Sequence, residues 1–373
     1  MKIAILTLRL HVNYGGILQA YALMTTLKRL GHEPWLIFNQ PFAYRKWYSQ
    51  WGVFLKNAFK KFVLGEKNLE VFRERRIKRE FETVYTNALR FVDEHLRPRT
   101  GIVCTKKEWR RLQREYSFDA YVVGSDQVWR PSYAKPIARY FLSFLDKKDE
   151  VKRISYAASF GVDEWTFTPK ETAECRALLQ RFDAVSVREE SGIELCRTYL
   201  GRDALHVLDP TMLLSREDYT ALLKDKDVKK QGIMVYVLDK SDWKDAIVGQ
   251  MEETLGMHAF SIDNQVSESG RVAPPVEDWL RGFASAGFVV TDSFHASVFA
   301  ILFHVPFCVC VNKARGLARI RSLLRLFGLE DCLVDDACDI SHINPLRPID
   351  WMAVDKKLDD LRAYSLDFIR LSL

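Results

Sequence analysis

Residues 288–308 read FVVTDSFHASVFAILFHVPFC and place one histidine, His295, between two apolar runs. The first run, Phe288–Val290, is typical of a buried strand, and the second has helical length. Three residues favoured at helix N-caps lie between them: Thr291, Asp292 and Ser293. We therefore predict His295 in the first turn of a helix, where free backbone N–H groups and the helix dipole favour a bound anion. The same field disfavours the imidazolium, which suits a group that exchanges protons near neutral pH.

A histidine at such a position can also simply cap or pack, and that alternative stays open. Small, polar and charged residues follow five other predicted strands in the same way. In open α/β sheets, ligands bind beyond the carboxyl ends of the strands, so all six positions are candidates for one site. The five further stretches are Asn13-Tyr14-Gly15-Gly16, Gly124-Ser125-Asp126-Gln127, Ser159-Phe160-Gly161, Arg188-Glu189-Glu190 and Asp209-Pro210-Thr211.

Three of these stretches have residue types that suit an anionic or sugar ligand. Arg188 can bind a phosphate or carboxylate through two parallel hydrogen bonds, although a salt bridge to a neighbouring glutamate is equally consistent with the sequence. The glycines after Asn13 allow a ligand to approach the backbone, or form a plain tight turn. The Ser125-Asp126-Gln127 stretch combines polar residues with the nearby Trp129, as sugar sites do, or is a capped helix start.

The order of predicted elements favours an α/β fold. A strand at Lys2–Leu8, a helix at Gly16–Leu30 and a strand at Trp35–Phe38 open a parallel, doubly wound sheet. A second strand–helix–strand series begins at Gly232–Leu238, after a polar stretch at 215–230. We predict two Rossmann-like domains facing across a cleft, with boundaries 1–214 and 215–373. The first carries a helical insertion at about 41–115, and the last helix of the second packs back on the first.

Composition agrees with a two-domain protein of the cytoplasm. The chain has 373 residues, of which 48% are hydrophobic and 28% charged. Its apolar runs are shorter than the roughly 20 residues of a membrane span, and the first residues lack the features of a signal peptide. The seven cysteines are scattered and are predicted to be reduced thiols. No cluster of residues has metal-ligand spacing, so no metal is predicted.

Positive charge is concentrated in residues 45–114, which hold 19 Lys and Arg against 8 Asp and Glu. Aromatic residues alternate with lysines between Trp47 and Phe62, as in an amphipathic helix at a membrane surface. A helix that packs on its own domain with its lysines in water explains the pattern equally well. No nucleic-acid-binding motif accompanies the charge, so no nucleic-acid partner is predicted.

Six motifs occur in one order along the chain: NYGGILQAYAL, FDAYVVGSDQVWRP, YAASFG, SVREESG, LDPTMLL and TDSFHASVFAILFHVPF. Together they resemble the polysaccharide pyruvyl transferase family, from about residue 13 to about residue 310. The resemblance implies a glycosyltransferase-B-like fold. It also implies transfer of an enolpyruvyl group from phosphoenolpyruvate to a sugar of a cell-surface polysaccharide precursor. The product is a pyruvate ketal, phosphate is released, and no cofactor is needed.

The resemblance also implies roles for residues. His295 is the expected acid/base and Arg188 the expected anion clamp. The other expected substrate-binding residues lie on the cleft wall, near the acceptor or at the helix start: Ser125, Asp126, Gln127, Asn13, Tyr14, Gly15, Asp292 and Ser293. Many relatives have an arginine where this chain has Ser293, so Lys313 and Arg315 are further candidates for the anion. The expected acceptor is a lipid-linked oligosaccharide, with peripheral contact to the inner membrane face.

Two other functions remain compatible with the sequence. A glycosyltransferase of the same fold would use a nucleotide-sugar donor in place of phosphoenolpyruvate. A non-catalytic binding protein of a polysaccharide assembly system would turn over neither donor and would be indifferent to loss of His295.

Overall fold

The computed structural model describes residues 1–10, 13–40, 61, 83–223, 229, 231–262, 272–312, 315–336 and 344–373. Two predictions lie outside the described residues. One is the basic aromatic helix between Trp47 and Phe62, and the other is the role of Lys313. The described part of the predicted insertion contains two helices and no strand.

The described strands belong to two parallel sheets. The first is six-stranded with the order β2-β1-β3-β4-β5-β6, and the second is five-stranded with the order β11-β10-β9-β7-β8. The strands of the first sheet are β1 Lys2–Leu6, β2 Glu33–Leu36, β3 Ala120–Val123, β4 Lys152–Ala158, β5 Ala184–Val187 and β6 Leu205–His206. Those of the second are β7 Ile233–Tyr236, β8 Ala259–Ser261, β9 Phe288–Thr291, β10 Phe307–Cys310 and β11 Leu333–Val334.

Helices connect the strands. In the first half they are α1 Tyr14–Arg29, α2 Thr86–His95, α3 Lys106–Tyr116, α4 Pro169–Leu179, α5 Glu190–Leu195 and α6 Arg216–Thr220. In the second half they are α7 Asp242–Leu255, α8 Val276–Ser285, α9 Phe294–Leu302, α10 Ala318–Phe327 and α11 Trp351–Ser372. The predicted fold class, two parallel-sheet α/β domains, is thereby confirmed.

Several element boundaries follow directly from local sequence. β3, β5 and α7 coincide with the predicted segments, since apolar residues or a helical period are bounded there by polar ones. α1 begins at Tyr14 and not at the predicted Gly16, because the Asn13 side chain caps it by accepting a hydrogen bond from the Gly16 N–H. The short edge strand β11 was not predicted, since two residues carry no periodic signal.

An aromatic cluster joins the two halves of the molecule. The ring of Tyr14, in α1, lies 5.7 Å from that of Trp279, in α8. Trp279 in turn lies 5.1 Å from the ring of Phe299, in α9. All three side chains are buried, so apolar surface from both halves forms one continuous core behind the strand ends.

The last helix, α11, contacts the first half of the chain. Ser365 accepts a hydrogen bond from the Leu208 N–H at 3.0 Å, and Arg362 donates one to the Met212 carbonyl at 2.9 Å. Lys152, at the start of β4, donates to the carbonyl of Ser372 at 3.1 Å. Among the described helices, none combines the length and the apolar composition that a membrane span requires.

Candidate functional site

A cavity of about 690 Å³ lies where the strand ends of both sheets meet. Its wall includes residues that follow β1 and β3 of the first sheet and β9 of the second. Eight of the residues predicted from the sequence line it: Asn13, Gly15, Asp126, Gln127, Asp292, Ser293, His295 and Arg315. The topology of parallel sheets therefore brings together positions as far apart in the chain as Asn13 and Arg315.

His295 lies in the first turn of α9, as predicted. Ser293 is the N-cap, and its hydroxyl accepts a hydrogen bond from the Ala296 N–H at 3.4 Å. The imidazole is 5% exposed and lies against the backbone of Gly15 at the start of α1. A Cβ at Gly15 would lie 2.2 Å from Cγ and Nδ1 of His295, so only glycine permits this approach. The N-termini of two helices thus meet at one imidazole.

Asp209 lies beside the imidazole on its buried side. Its Oδ2 is 3.6 Å from Nε2 of His295, a charge contact slightly longer than a hydrogen bond. Nε2 is buried and has no hydrogen-bond partner. The other oxygen, Oδ1, accepts hydrogen bonds from the Thr211 N–H at 2.9 Å and the Thr211 hydroxyl at 2.6 Å, which fix the carboxylate. The ring therefore lies between two opposing influences, a helix N-terminus and a carboxylate.

Arg188 does not line the cavity, in contrast to the predicted anion clamp. Its guanidinium contacts two carboxylates: Asp209 at 2.7 Å and Asp126 at 3.4 Å. Its Cζ also lies 4.6 Å from the centre of the Phe294 ring. The predicted alternative, a salt bridge to Glu189 or Glu190, is also not what the structure contains. Arg188 instead holds together three segments that end at the site.

The charges of this cluster keep both carboxylates ionised. Burial alone would raise the pKa of Asp126, but the positive charge of Arg188 and the nearby His295 and Arg319 side chains outweigh it and lower the pKa. Burial likewise opposes ionisation of Asp209, and contacts with His295 and Arg188 hold its pKa below the usual range. The same attraction raises the pKa of Arg188 despite its burial. The cluster is an electrostatic unit, so loss of one member disturbs the others.

Two predicted substrate-binding residues lie behind the cavity wall. The Tyr14 hydroxyl donates a hydrogen bond to the Pro274 carbonyl at 2.6 Å, so this side chain belongs to the core between the two halves. The Ser125 hydroxyl is buried, with two acceptors for its single proton: the Ala157 carbonyl at 3.0 Å and Asp209 at 3.2 Å. Both therefore contribute to the scaffold. Their positions after strands predicted proximity to the site, but not the direction of the side chains.

Asp292 lines the cavity but is occupied by structural hydrogen bonds. Its carboxylate accepts from the Leu238 N–H at 2.6 Å, from the Asn312 amide at 2.9 Å and from the Lys244 ammonium at 2.8 Å. A carboxylate with these partners stabilises the loop after β7 and has little capacity left for a ligand. Asp292 therefore has a structural role, and its contact with substrate stays a prediction.

Gln127, Asn13 and Arg315 also have hydrogen-bond partners within the protein, and all three line the cavity. Gln127 accepts a hydrogen bond from Arg130 at 2.8 Å, and Asn13 donates a long one to Asp126 at 3.4 Å. Arg315 makes two hydrogen bonds to Asp239, at 2.6 and 3.0 Å, and these lower the pKa of Asp239 to about 2. The charge of Arg315 is therefore balanced within the protein.

Sequence reasoning missed two residues of the site. Asp209 belongs to the stretch Asp209-Pro210-Thr211, which follows a predicted strand. An aspartate is equally common in a turn at such a position, so the sequence does not single it out. Arg319, in α10, lines the cavity and is 7% exposed. Its helix also contains Arg321 and Arg325, and no local signal separates the three arginines.

A separate group of possible metal ligands lies on α2 and α8. One ligand atom from each of Glu94, His95 and Glu277 lies within 4.8 Å of the others. Arg90 donates hydrogen bonds to Glu277 at 2.7 and 2.8 Å and to Glu94 at 2.8 Å. The guanidinium pairs with both carboxylates, so the group forms an ion-pair network between the two halves.

A comparison with models of protein families finds a match over most of the chain. The sequence profile described as polysaccharide pyruvyl transferase matches residues 13–313. That segment contains the elements around the cavity from α1 to β10, whereas β1 and α10 lie outside it. No curated protein is matched by the sequence.

Solved structures share the fold at low sequence identity. A Listeria monocytogenes protein assigned as a UDP-N-acetylglucosamine 2-epimerase is 11% identical with a TM-score of 0.53, covering 97% of this chain and 90% of that one. The UDP-GlcNAc 2-epimerase of Neisseria meningitidis, solved with UDP-GlcNAc bound, is 6% identical with a TM-score of 0.51, covering 100% and 94%. These similarities establish the glycosyltransferase-B-like arrangement of two α/β domains.

Proposed function

The chain belongs to the polysaccharide pyruvyl transferase family, and we propose that it transfers the enolpyruvyl group of phosphoenolpyruvate to a sugar. The acceptor would be a saccharide of a cell-surface polysaccharide precursor, and the product a pyruvate ketal that bridges two hydroxyls. The observation that carries the proposal is the placement of His295. Its imidazole lies at a helix N-terminus on the cavity wall, with the Asp209 carboxylate behind it.

The reaction requires a group that can both give and take a proton. Protonation of C3 of phosphoenolpyruvate makes the methyl group and leaves C2 electrophilic. One sugar hydroxyl then adds to C2, the C2–O bond to phosphate breaks, and a second hydroxyl takes the place of the phosphate. Of the two hydroxyl protons, one balances the proton delivered to C3 and the other leaves with phosphate. A single histidine can serve these steps in turn.

The surroundings of His295 fit such a role. Nε2 faces the buried Asp209, so Nδ1 is left as the nitrogen that exchanges a proton with a ligand. Asp209 orients the ring and stabilises the imidazolium that forms during turnover, as a carboxylate does in other acid–base pairs. Arg188 and Thr211 fix Asp209 in turn. In this arrangement Arg188 is a positioning residue and does not contact substrate.

The rim of the cavity suits a charged or glycosidic acceptor. Arg9, Lys135 and Tyr133 line it and are exposed. We propose that the acceptor enters from this side and is lipid-linked, with the protein at the cytoplasmic face of the inner membrane. The basic residues 45–114 would favour that location, because anionic lipids attract clustered lysines and arginines.

A ligand panel tests the donor. Thermal unfolding is followed with phosphoenolpyruvate, UDP and CMP, each added separately to the wild type. A ligand that binds only the native state stabilises it by about 2.7 kcal/mol at a hundredfold excess over Kd. We expect stabilisation by phosphoenolpyruvate and none by the nucleotides. Stabilisation by a nucleotide alone would favour a nucleotide-sugar-dependent glycosyltransferase. No response to any of the three would favour the non-catalytic binding protein.

A further inference from the structure

Arg319 is a buried arginine whose charge is not balanced by a carboxylate in contact. One of its terminal nitrogens donates a hydrogen bond to the Arg315 carbonyl at 3.1 Å, and its Nε has no hydrogen-bond partner. Among the described residues, no carboxylate oxygen lies within ion-pair distance of this guanidinium. Burial, and then the like charge of Arg188, lower the pKa of Arg319 to about 10, so the group stays protonated at neutral pH.

Arg188 and Arg315, the two described arginines predicted to bind the anion, do not share this condition. Arg188 also has an Nε without a hydrogen-bond partner, but Asp209 and Asp126 balance its charge. Arg315 is paired with Asp239 through two hydrogen bonds. Burying a charge without a partner is costly. A ligand that supplied the missing negative charge would offset this cost for Arg319.

Arg319 faces the place where a ligand would meet His295. Both side chains line the same cavity, and the Cζ of Arg319 lies 5.7 Å from the ring of Phe294, the residue before His295. The Phe294 ring in turn lies 5.2 Å from the imidazole of His295. An anion bound at Arg319 would therefore lie close to the imidazole.

We propose that Arg319 is the residue that binds an oxyanion, a phosphate or a carboxylate, in this cavity. The planar guanidinium offers parallel N–H groups that match two oxygens of either group. It takes the place that the sequence assigned to Arg188, Lys313 and Arg315. That the oxyanion belongs to phosphoenolpyruvate rests on the proposed function, whereas the anion site itself does not.

The test compares two methionine variants of the same helix. Arg319→Met removes the buried charge and keeps a side chain of similar length. Arg321→Met makes the same change two residues away, at an exposed position outside the cavity lining. Binding of inorganic phosphate, pyruvate and phosphoenolpyruvate is measured by calorimetry for the wild type and both variants, and Tm is measured without ligand.

We expect Arg319→Met to bind the oxyanions roughly 10- to 100-fold more weakly, the range of a lost charge-assisted hydrogen bond pair. Its ligand-free Tm should be equal to or higher than that of the wild type, because an unpaired buried charge has been removed. Arg321→Met should match the wild type in affinity. Arg319→Lys, which keeps the charge but loses the planar fork, should bind with intermediate affinity.

Each other outcome has a definite meaning. Unchanged affinity in Arg319→Met, or no binding of any oxyanion by the wild type, would overturn the proposal. A fall in ligand-free Tm or a failure to fold would also overturn it, since Arg319 would then be a structural residue. Arg319-dependent binding of phosphate or pyruvate without binding of phosphoenolpyruvate would support the anion site and reject the proposed donor.

Discussion

At the scale of single residues, the site depends on a close approach between Gly15 and His295. Gly15 has no Cβ, so the backbone at the start of α1 can lie directly against the imidazole. The ring is buried and has Asp209 on its far side, which leaves it little room to move. Gly15 and Asp209 therefore fix the position of the proton-exchanging nitrogen from two sides of the ring.

The variant Gly15→Ala should displace the imidazole. A misplacement of about 1 Å can lower a rate by about a hundredfold, so phosphate release from phosphoenolpyruvate should fall at least that far. The new methyl group should also lower the free energy of unfolding by about 1–3 kcal/mol through overpacking. The matched control is Gly249→Ala in α7, where a Cβ would meet nothing within 4 Å. The control should be more stable by about 0.5–1 kcal/mol and fully active, and a Gly15→Ala protein with wild-type activity would refute the contact.

The variant Asp209→Asn tests whether Asp209 orients His295 or binds the donor. Asp209 contacts His295 but does not line the cavity. We expect kcat to fall by about 10²- to 10⁴-fold, the range for general acid–base catalysis, while Kd for phosphoenolpyruvate changes little. Stopped-flow turnover and calorimetry measure the two quantities separately. A large loss of affinity with kcat unchanged would assign Asp209 to ligand binding.

At the scale of elements, a buried cluster behind the cavity is assembled from the ends of three strands of the first sheet. Asp126 follows β3, Arg188 follows β5 and Asp209 follows β6, and ion pairs connect them within the first sheet. The edge of a sheet aligns these residues because adjacent parallel strands end at the same level. The same cluster thus holds the strand ends together and presents Asp209 to His295.

The variant Arg188→Met should leave two buried carboxylates without their strongest partner. Breaking a buried ion pair from one side costs about 3–5 kcal/mol, which urea unfolding at pH 7 would measure. The control Arg197→Met removes an exposed arginine that contacts Glu194 and Asp203, and should change stability by about 1 kcal/mol or less. Equal effects of the two substitutions would contradict the role given to the cluster.

The stability difference between the wild type and Arg188→Met should depend on pH. The pKa values of Asp126 and Asp209 are lowered in the folded protein, so their ionised forms stabilise it above the unfolded pKa of about 4. This contribution is lost as pH falls toward the folded pKa values. In Arg188→Met, protonation also removes the destabilising negative charge of Asp126 and Asp209, which have lost their arginine partner. The urea midpoints of the wild type and Arg188→Met should therefore become more similar from pH 7 to pH 5 to pH 4. A difference between them that grows on acidification would argue against this assignment.

Sequence patterns predicted the elements better than the directions of side chains. Short-range preferences in the sequence predicted the bounds of β3 and β5, three candidate caps that include Ser293, and the placement of His295 in the first turn. The roles of Arg188 and Arg319 depend on which strand or helix lies next to which. That arrangement is a property of the sheet order, so three arginines of α10 look alike in sequence and differ only in the fold.

At the scale of the whole molecule, the cavity depends on how the two halves meet. Close backbone contact occurs at Gly316, where a Cβ would lie 2.0 Å from the Gly161 carbonyl oxygen of the first half. Arg130 crosses the same junction and donates a hydrogen bond to the Arg315 carbonyl at 2.9 Å. The aromatic core around Trp279 supports the junction from behind. Residues of both halves line the cavity, so its shape requires this docking.

The variant Gly316→Ala should separate the halves locally and weaken donor binding. Gly316 has a positive φ of 86°, so alanine also strains the backbone by about 1–2 kcal/mol. The control Gly328→Ala carries the same kind of strain at φ 65° but meets nothing within 4 Å. We expect both variants to lose stability and only Gly316→Ala to lose affinity for phosphoenolpyruvate, by roughly tenfold or more. Equal affinities would indicate that the junction does not shape the site.

The central claim is tested most directly by following phosphoenolpyruvate with ³¹P NMR. The wild type and His295→Gln are each incubated with phosphoenolpyruvate and lipid-linked saccharides from a cell envelope. We expect the wild type to convert the phosphoenolpyruvate signal to that of inorganic phosphate only when saccharide is present. His295→Gln should do so at least a hundredfold more slowly. Conversion by His295→Gln at the wild-type rate would contradict the assignment of His295 as the acid and base.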